Sequence, residues 1–252
     1  MLKEGVFTMS NPILNNNLVS GQERILEGEP CSVKGTINKT LLLLCVVVAS
    51  FGVTYNMCLN NNIDTAIGIG KISIIAALIL AVIISFKHRL APVLSPVYAF
   101  CEGLALGGVS FAFETIYPGI VFQAVAGTFL SLFLMLFLYT SQIVKVTHKL
   151  RSTIFIATVG VVGIYLISWI LSLFHISVPA LYSSGPIGIG FSLIVCAIAV
   201  SNFLLDFDII NRLSLNLAPK YYEWYGAFGL LITLVWVYIE ILRILSKFRS
   251  RN

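Results

Sequence analysis

Four acidic residues of this chain fall where an acid is costly. Asp206 and Asp208 close an apolar stretch that begins near Ser184, Glu240 lies inside the apolar residues 224–245, and Glu102 sits midway along an earlier run. Carboxylates at membrane depth usually face a bundle interior or a water cavity, and they mark ion or proton pathways. Held within a few ångströms of each other, Asp206 and Glu240 could not both ionise cheaply and would share a proton. Protonated, such a pair is a neutral hydrogen-bonded latch. Ionised, it repels itself and attracts a hard cation such as Ca²⁺, which takes oxygen ligands. The same residues also allow two separate salt bridges, Glu240 with Arg243 three residues on and Asp206 with Arg212. Asp208 stands two residues from Asp206, points elsewhere on a helix and reads as a solvated interfacial acid. Glu102 either lines the mouth of a pathway or bonds to a neighbouring helix.

The elements that must hold these acids are membrane spans. The 252 residues are 58% hydrophobic and only 11% charged, against about 25% charged in a soluble domain. Seven apolar segments reach spanning length, at residues 40–58, 66–86, 91–113, 119–141, 153–174, 184–207 and 224–245. Each is near the ~20 residues that a helix rising 1.5 Å per residue needs. Lipid supplies no water to the backbone, so these are helices, and they lack the alternation of a β-barrel. The expectation is an all-α polytopic membrane protein, with a seven-helix domain over residues 39–252. Residues 1–38 form a polar tail, read as flexible, in which no cleavable signal peptide is recognisable.

Charge sets the orientation. Eleven Lys and Arg residues lie in the N-terminal tail and the second, fourth and sixth connections, and none in the first, third and fifth. The N-terminus is therefore expected in the cytosol. Arg243, Lys247, Arg249 and Arg251 break this pattern. Either the tail is translocated, or the last segment is re-entrant and returns.

Two spans carry stripes of small and polar residues at helical spacing. In the last, the stripe is Gly226, Gly229, Thr233, Trp236, Glu240 and Arg243; in the sixth, Gly188, Ser192, Ala199, Asn202 and Asp206. Small residues let helices approach in lipid and polar ones bond across the contact, so the last helix is expected to be buried. Gly103 and Gly107 form a GxxxG pair beside Glu102, a spacing common by chance in apolar helices. No catalytic or phosphate-binding motif is present, and the chain reads as a non-enzyme without a cofactor. The five cysteines show no ligand spacing and read as packing residues. The net charge of +5 is the signature of membrane orientation and does not point to nucleic acid.

Tyr98-Ala-Phe-Cys-Glu102-Gly103-Leu-Ala-Leu-Gly107, Leu205-Asp206-Phe-Asp208-Ile-Ile and Val237-Tyr238-Ile-Glu240-Ile-Leu-Arg243, in that order in a seven-segment frame, resemble the Bax inhibitor-1 like (transmembrane Bax inhibitor motif) proteins. The resemblance runs over about residues 40–248. It implies six helices around a central seventh, and a carboxylate pair on the last two helices that senses pH and gates calcium leak. Asp206 matches the sixth-helix acid. Glu240 matches the seventh-helix acid, where better-known members have Asp. Asp208 falls where the family often has Gln or Asn. A basic residue that can pair with the acids falls among Lys87, His88 and Arg89, which equally suit an anchor to anionic lipid.

The function expected is a pH-sensitive, calcium-permeable leak channel or exchanger of the membrane, with calcium, protons and the bilayer as partners. The alternative is a non-transporting regulator that binds a membrane protease or another membrane protein. A bacterial cytoplasmic membrane is the expected location. The span limits leave one conflict. Glu240 falls about 24 Å into its segment, whereas Asp206 falls near the end of its own.

Overall fold

The computed structural model describes residues 29–174 and 183–251. Seven long helices follow in order: α1 (Val33–Leu59), α2 (Ile63–Phe86), α3 (Ala91–Ile116), α4 (Ile120–Thr140), α5 (His148–Leu173), α6 (Pro186–Leu215) and α7 (Tyr222–Arg249). A single 3₁₀ turn, His88–Leu90, joins α2 to α3. Each long helix is long and apolar enough to cross a membrane. The chain is an all-α integral membrane protein.

The helices outrun the apolar segments because polar residues start and extend them. Ser32 caps α1 by accepting from the Gly35 amide. Helix α1 therefore begins inside the stretch read as tail, of which residues 1–28 lie outside the described residues. Thr147 caps α5 through the Leu150 amide. Gly119, at φ 81°, turns the chain into α4, and the Glu114 carboxylate accepts from the Gly119 and Val121 amides there.

Helix α7 is the centre. Half of its most apolar stretch is buried, more than in any other helix. It packs on α1, α3, α4 and α6, and Arg243 and Glu240 reach Tyr165 of α5. Helix α2 stands further out, packed on α3 and α1. The last helix is central as expected, but the ring of six is incomplete, because α2 stands behind α3.

The helix ends divide between two faces. On one, Cys31 donates its amide to the Ala218 carbonyl at 2.7 Å, and Pro30 bridges Pro219. This N-terminal face also holds the α2–α3 and α4–α5 connections. On the other, Arg249 donates to the Pro118 carbonyl and Gln123 Oε1. Lys247 there donates to the Gly188 carbonyl and Ser192 Oγ. Helix α7 is unbroken for 28 residues, about 42 Å. The re-entrant alternative is therefore corrected: the last helix crosses completely, and its basic end lies opposite the N-terminal face.

The GxxxG pair makes the closest helix contact. A Cβ on Gly103 would collide with Ser50 Oγ and the Val47 carbonyl, and one on Gly107 would lie 2.6 Å from the Phe51 carbonyl oxygen. Both glycines face the α1 backbone, so α1 and α3 touch along their midsections.

Candidate functional site

Asp206 lies nine residues before the Leu215 end of α6, about 14 Å into the helix from the N-terminal face. The apolar signal ends at Phe207, but α6 continues through Asn211, Arg212 and Ser214, which sets Asp206 inside the bundle. Opposite it on α7 stand Gly229, whose added Cβ would be 3.9 Å from Asp206 Oδ1, and the side chain of Thr233. Asp206 Oδ2 is buried and has no hydrogen-bond partner among the described residues. An ionised carboxylate so placed is costly until a proton, a water or a cation satisfies that oxygen.

Glu240 occupies a different place. It is 18 residues into α7, about 27 Å from the N-terminal face. It is 1% exposed and fully engaged. Tyr165 Oη donates to Oε1 at 3.0 Å, Trp236 Nε1 donates at 3.2 Å, and Arg243 Nη1 reaches both oxygens at 3.0 and 3.1 Å. Arg243 also donates to the Tyr165 hydroxyl and lies over its ring at 5.0 Å. None of the partners is Asp206. Thr233, the residue facing Asp206, is seven positions before Glu240, about 10 Å along the axis.

The structure does not bring the two carboxylates into a proton-sharing pair, and this corrects the expected dyad. The span limits already carried the reason, because antiparallel neighbours meet only at matching depth. The second salt bridge of the plainer arrangement is corrected as well. Arg212 bonds Asp208 at 2.9 Å, not Asp206. Asp208, only 8% exposed, also accepts from Arg151 of α5. The extra acid is a tie between α5 and α6 and not a solvated residue. A few positions deeper, Asn202 donates to Thr158 Oγ1 and joins the same two helices.

Glu102 accepts from the Tyr98 hydroxyl one turn earlier, at 2.8 Å. It is eleven residues into α3, about 16 Å deep and so near the level of Asp206. Tyr98 in turn packs edge-on against Phe228 of α7, which places Glu102 on the α3 side of the central helix. His88 stacks against Tyr222 and Tyr225, its ring centre 4.4 Å from that of Tyr225. No ion pair joins Lys87, His88 or Arg89 to an acid among the described residues. The basic residues that meet the buried acids are Lys39, Arg151, Arg212 and Arg243.

Among the described residues no three His, Cys, Asp or Glu side chains could hold a metal ion together. A cation at Asp206 would therefore meet one carboxylate and neutral oxygens. The described cysteines are all free. Sequence reasoning missed three residues that matter. Glu223 is 2% exposed and accepts from Ser32 and Lys39. Tyr165 serves Glu240, and Thr233 faces Asp206. Thr233 was visible on the small-and-polar stripe, and its depth from the start of α7 would have singled it out. Glu223 was hidden among Tyr221, Tyr222, Trp224 and Tyr225, where an acid reads as the solvated edge of a span.

No curated protein matches the chain at a significant level. A sequence profile described as Bax inhibitor 1 like matches residues 11–250. With nearly the whole chain matched and seven helices long and apolar enough to span a membrane, the chain belongs to the Bax inhibitor-1 like family.

Proposed function

We propose that this protein is a calcium-permeable, pH-sensitive leak pathway in which Asp206 is the titrating group. The observation that carries the reading is the free oxygen of Asp206, buried at membrane depth between α6 and the central helix. Titratable and charged side chains nearby are engaged elsewhere. Asp208 bonds both Arg151 and Arg212, Glu223 bonds Lys39, and Glu240 bonds Arg243. Protonated, Asp206 is neutral and sits beside Thr233 at modest cost. Ionised, it favours a hard cation, for which the carboxylate and the neighbouring Thr233 hydroxyl are suitable donors. Protons and Ca²⁺ therefore compete for one carboxylate. Glu240 enters as a locked ion pair on the far half of α7, and catalysis has no part in the reading. The excess of Lys and Arg on the N-terminal face supports a cytosolic N-terminus.

Purified protein in calcium-loaded liposomes tests the reading. Leak above protein-free vesicles is expected, with a pH response that follows one proton rather than two coupled ones. A folded protein that moves no calcium at any pH would favour the regulator that acts only through a partner. Asp208→Asn serves as a control. It removes the charge that pairs with Arg151 and Arg212 and loosens α5 from α6, but the pH response is expected to persist.

A further inference from the structure

Directly above Asp206, toward the N-terminal face, lies a tight layer. One turn along α6 is Ile210 and one turn along α7 is Gly226. A Cβ on Gly226 would lie 3.1 Å from both Ile210 Cγ1 and Thr36 Cγ2 of α1. The first turns of α1 therefore close over the carboxyl from that side. One turn further out stands Glu223, and its bonding is one-sided. It accepts from the Ser32 amide at 2.9 Å, from Ser32 Oγ at 2.9 Å and from Lys39 Nζ. All three donors belong to the start of α1.

The joint is built around the absence of a side chain at Gly35, where a Cβ would collide with the Glu223 carboxylate. Ser32 serves twice, capping α1 through the Gly35 amide while donating to Glu223. The Lys220–Glu29 pair outside it is exposed. Lys220, chiefly through its hydrogen bond, holds the Glu29 carboxyl below its ordinary range, but such a pair is screened by salt and holds little. The buried carboxylate with three donors is the strong tie.

We propose that Glu223 is the residue that holds the pathway shut on the N-terminal face, by clasping Ser32 and Lys39 and seating the first turns of α1 over Asp206. The inference rests on the leak reading for what is shut, and on the joint alone for the clasp. When α1 swings away the three bonds go together, and water at the membrane edge takes their place. The closed and open joints are then two discrete states.

Cys31 reports on the clasp. It is 3% exposed and bonded through its amide to Ala218, while the other four cysteines lie within helices. Full-length protein in liposomes is treated with a membrane-impermeant thiol reagent, and the modified cysteine is located by peptide mass. The variants are Glu223→Gln, which weakens the acceptor, and Gly35→Ala, whose Cβ forces the carboxylate to shift without changing charge. A second reporter, Thr40→Cys, lies one turn deeper in α1 than Thr36 and is buried in the native chain. Both variants are expected to raise labelling at both positions by about tenfold or more, as for the loss of a charge-assisted hydrogen bond. Calcium leak is expected to rise with it.

Faster labelling of Cys31 with unchanged leak, in a protein whose unmodified form leaks, would overturn the gate. Unchanged labelling of Cys31 in both variants would overturn the clasp. If no form leaks, the calcium reading fails by itself. Labelling at Thr40→Cys then decides whether Glu223 seals the bundle: fast labelling in the variants upholds the seal, and slow labelling overturns it.

Discussion

Arg243→Ala is expected to destabilise the membrane domain by about 3–5 kcal/mol, the range for removing one partner of a buried ion pair. Glu240 is buried against α5, and Arg243 is its salt-bridge partner. Without the guanidinium, Tyr165 and Trp236 supply two neutral donors to a full charge. The double change Arg243→Ala with Glu240→Gln should recover much of the loss, because the glutamine can keep the Tyr165 hydroxyl as a partner and has no charge to leave stranded. Thermal unfolding of the three forms in one detergent checks this. If the single and double variants were equally unstable, the loss would come from the packing of the guanidinium over the Tyr165 ring, and not from the charge left on Glu240.

Gly103→Leu is expected to cost about 3 kcal/mol or more, because overpacking here meets a backbone carbonyl and not the far end of a flexible side chain. For a chain of this length the melting temperature should fall by roughly 6–12 °C. Gly108→Ala is the control. Its Cβ would meet only Thr54 Cγ2 at 3.8 Å, an ordinary contact. If the control were as harmful as Gly103→Leu, helix flexibility would account for the glycines better than the contact between α1 and α3.

These two results would weigh the parts of the bundle that the sequence disclosed unequally. The seven spans and the buried last helix were legible, since apolar length and stripe spacing are one-dimensional signals. Gly103 and Gly107 were legible only as a spacing. That they face Val47, Ser50 and Phe51 depends on the rotation of two helices, which the sequence does not carry. Asp206 was legible as a costly acid, but its partner was not. Family likeness pointed to Glu240, whereas counting residues from the ends of α6 and α7 places Thr233 at its depth. The ends themselves were the obstacle: α6 runs eight residues past Phe207 through polar sequence, so its length could not be read from hydropathy. Lys39, Arg151 and Glu223 looked like interfacial charges, because nothing local shows that α1 leans over the start of α7.

The central claim is that one unpaired carboxyl, and not a dyad, sets the response to pH. The measurement that tests it most directly is the pH titration of calcium leak from liposomes containing the native protein or Asp206→Asn, at two calcium concentrations. The native protein is expected to show a single one-proton transition, and higher calcium should move it to lower pH, since the cation and the proton compete for Asp206. Asp206→Asn is expected to stay folded and to lose the transition. A two-proton transition in the native protein, or an unchanged transition in folded Asp206→Asn, would contradict the account.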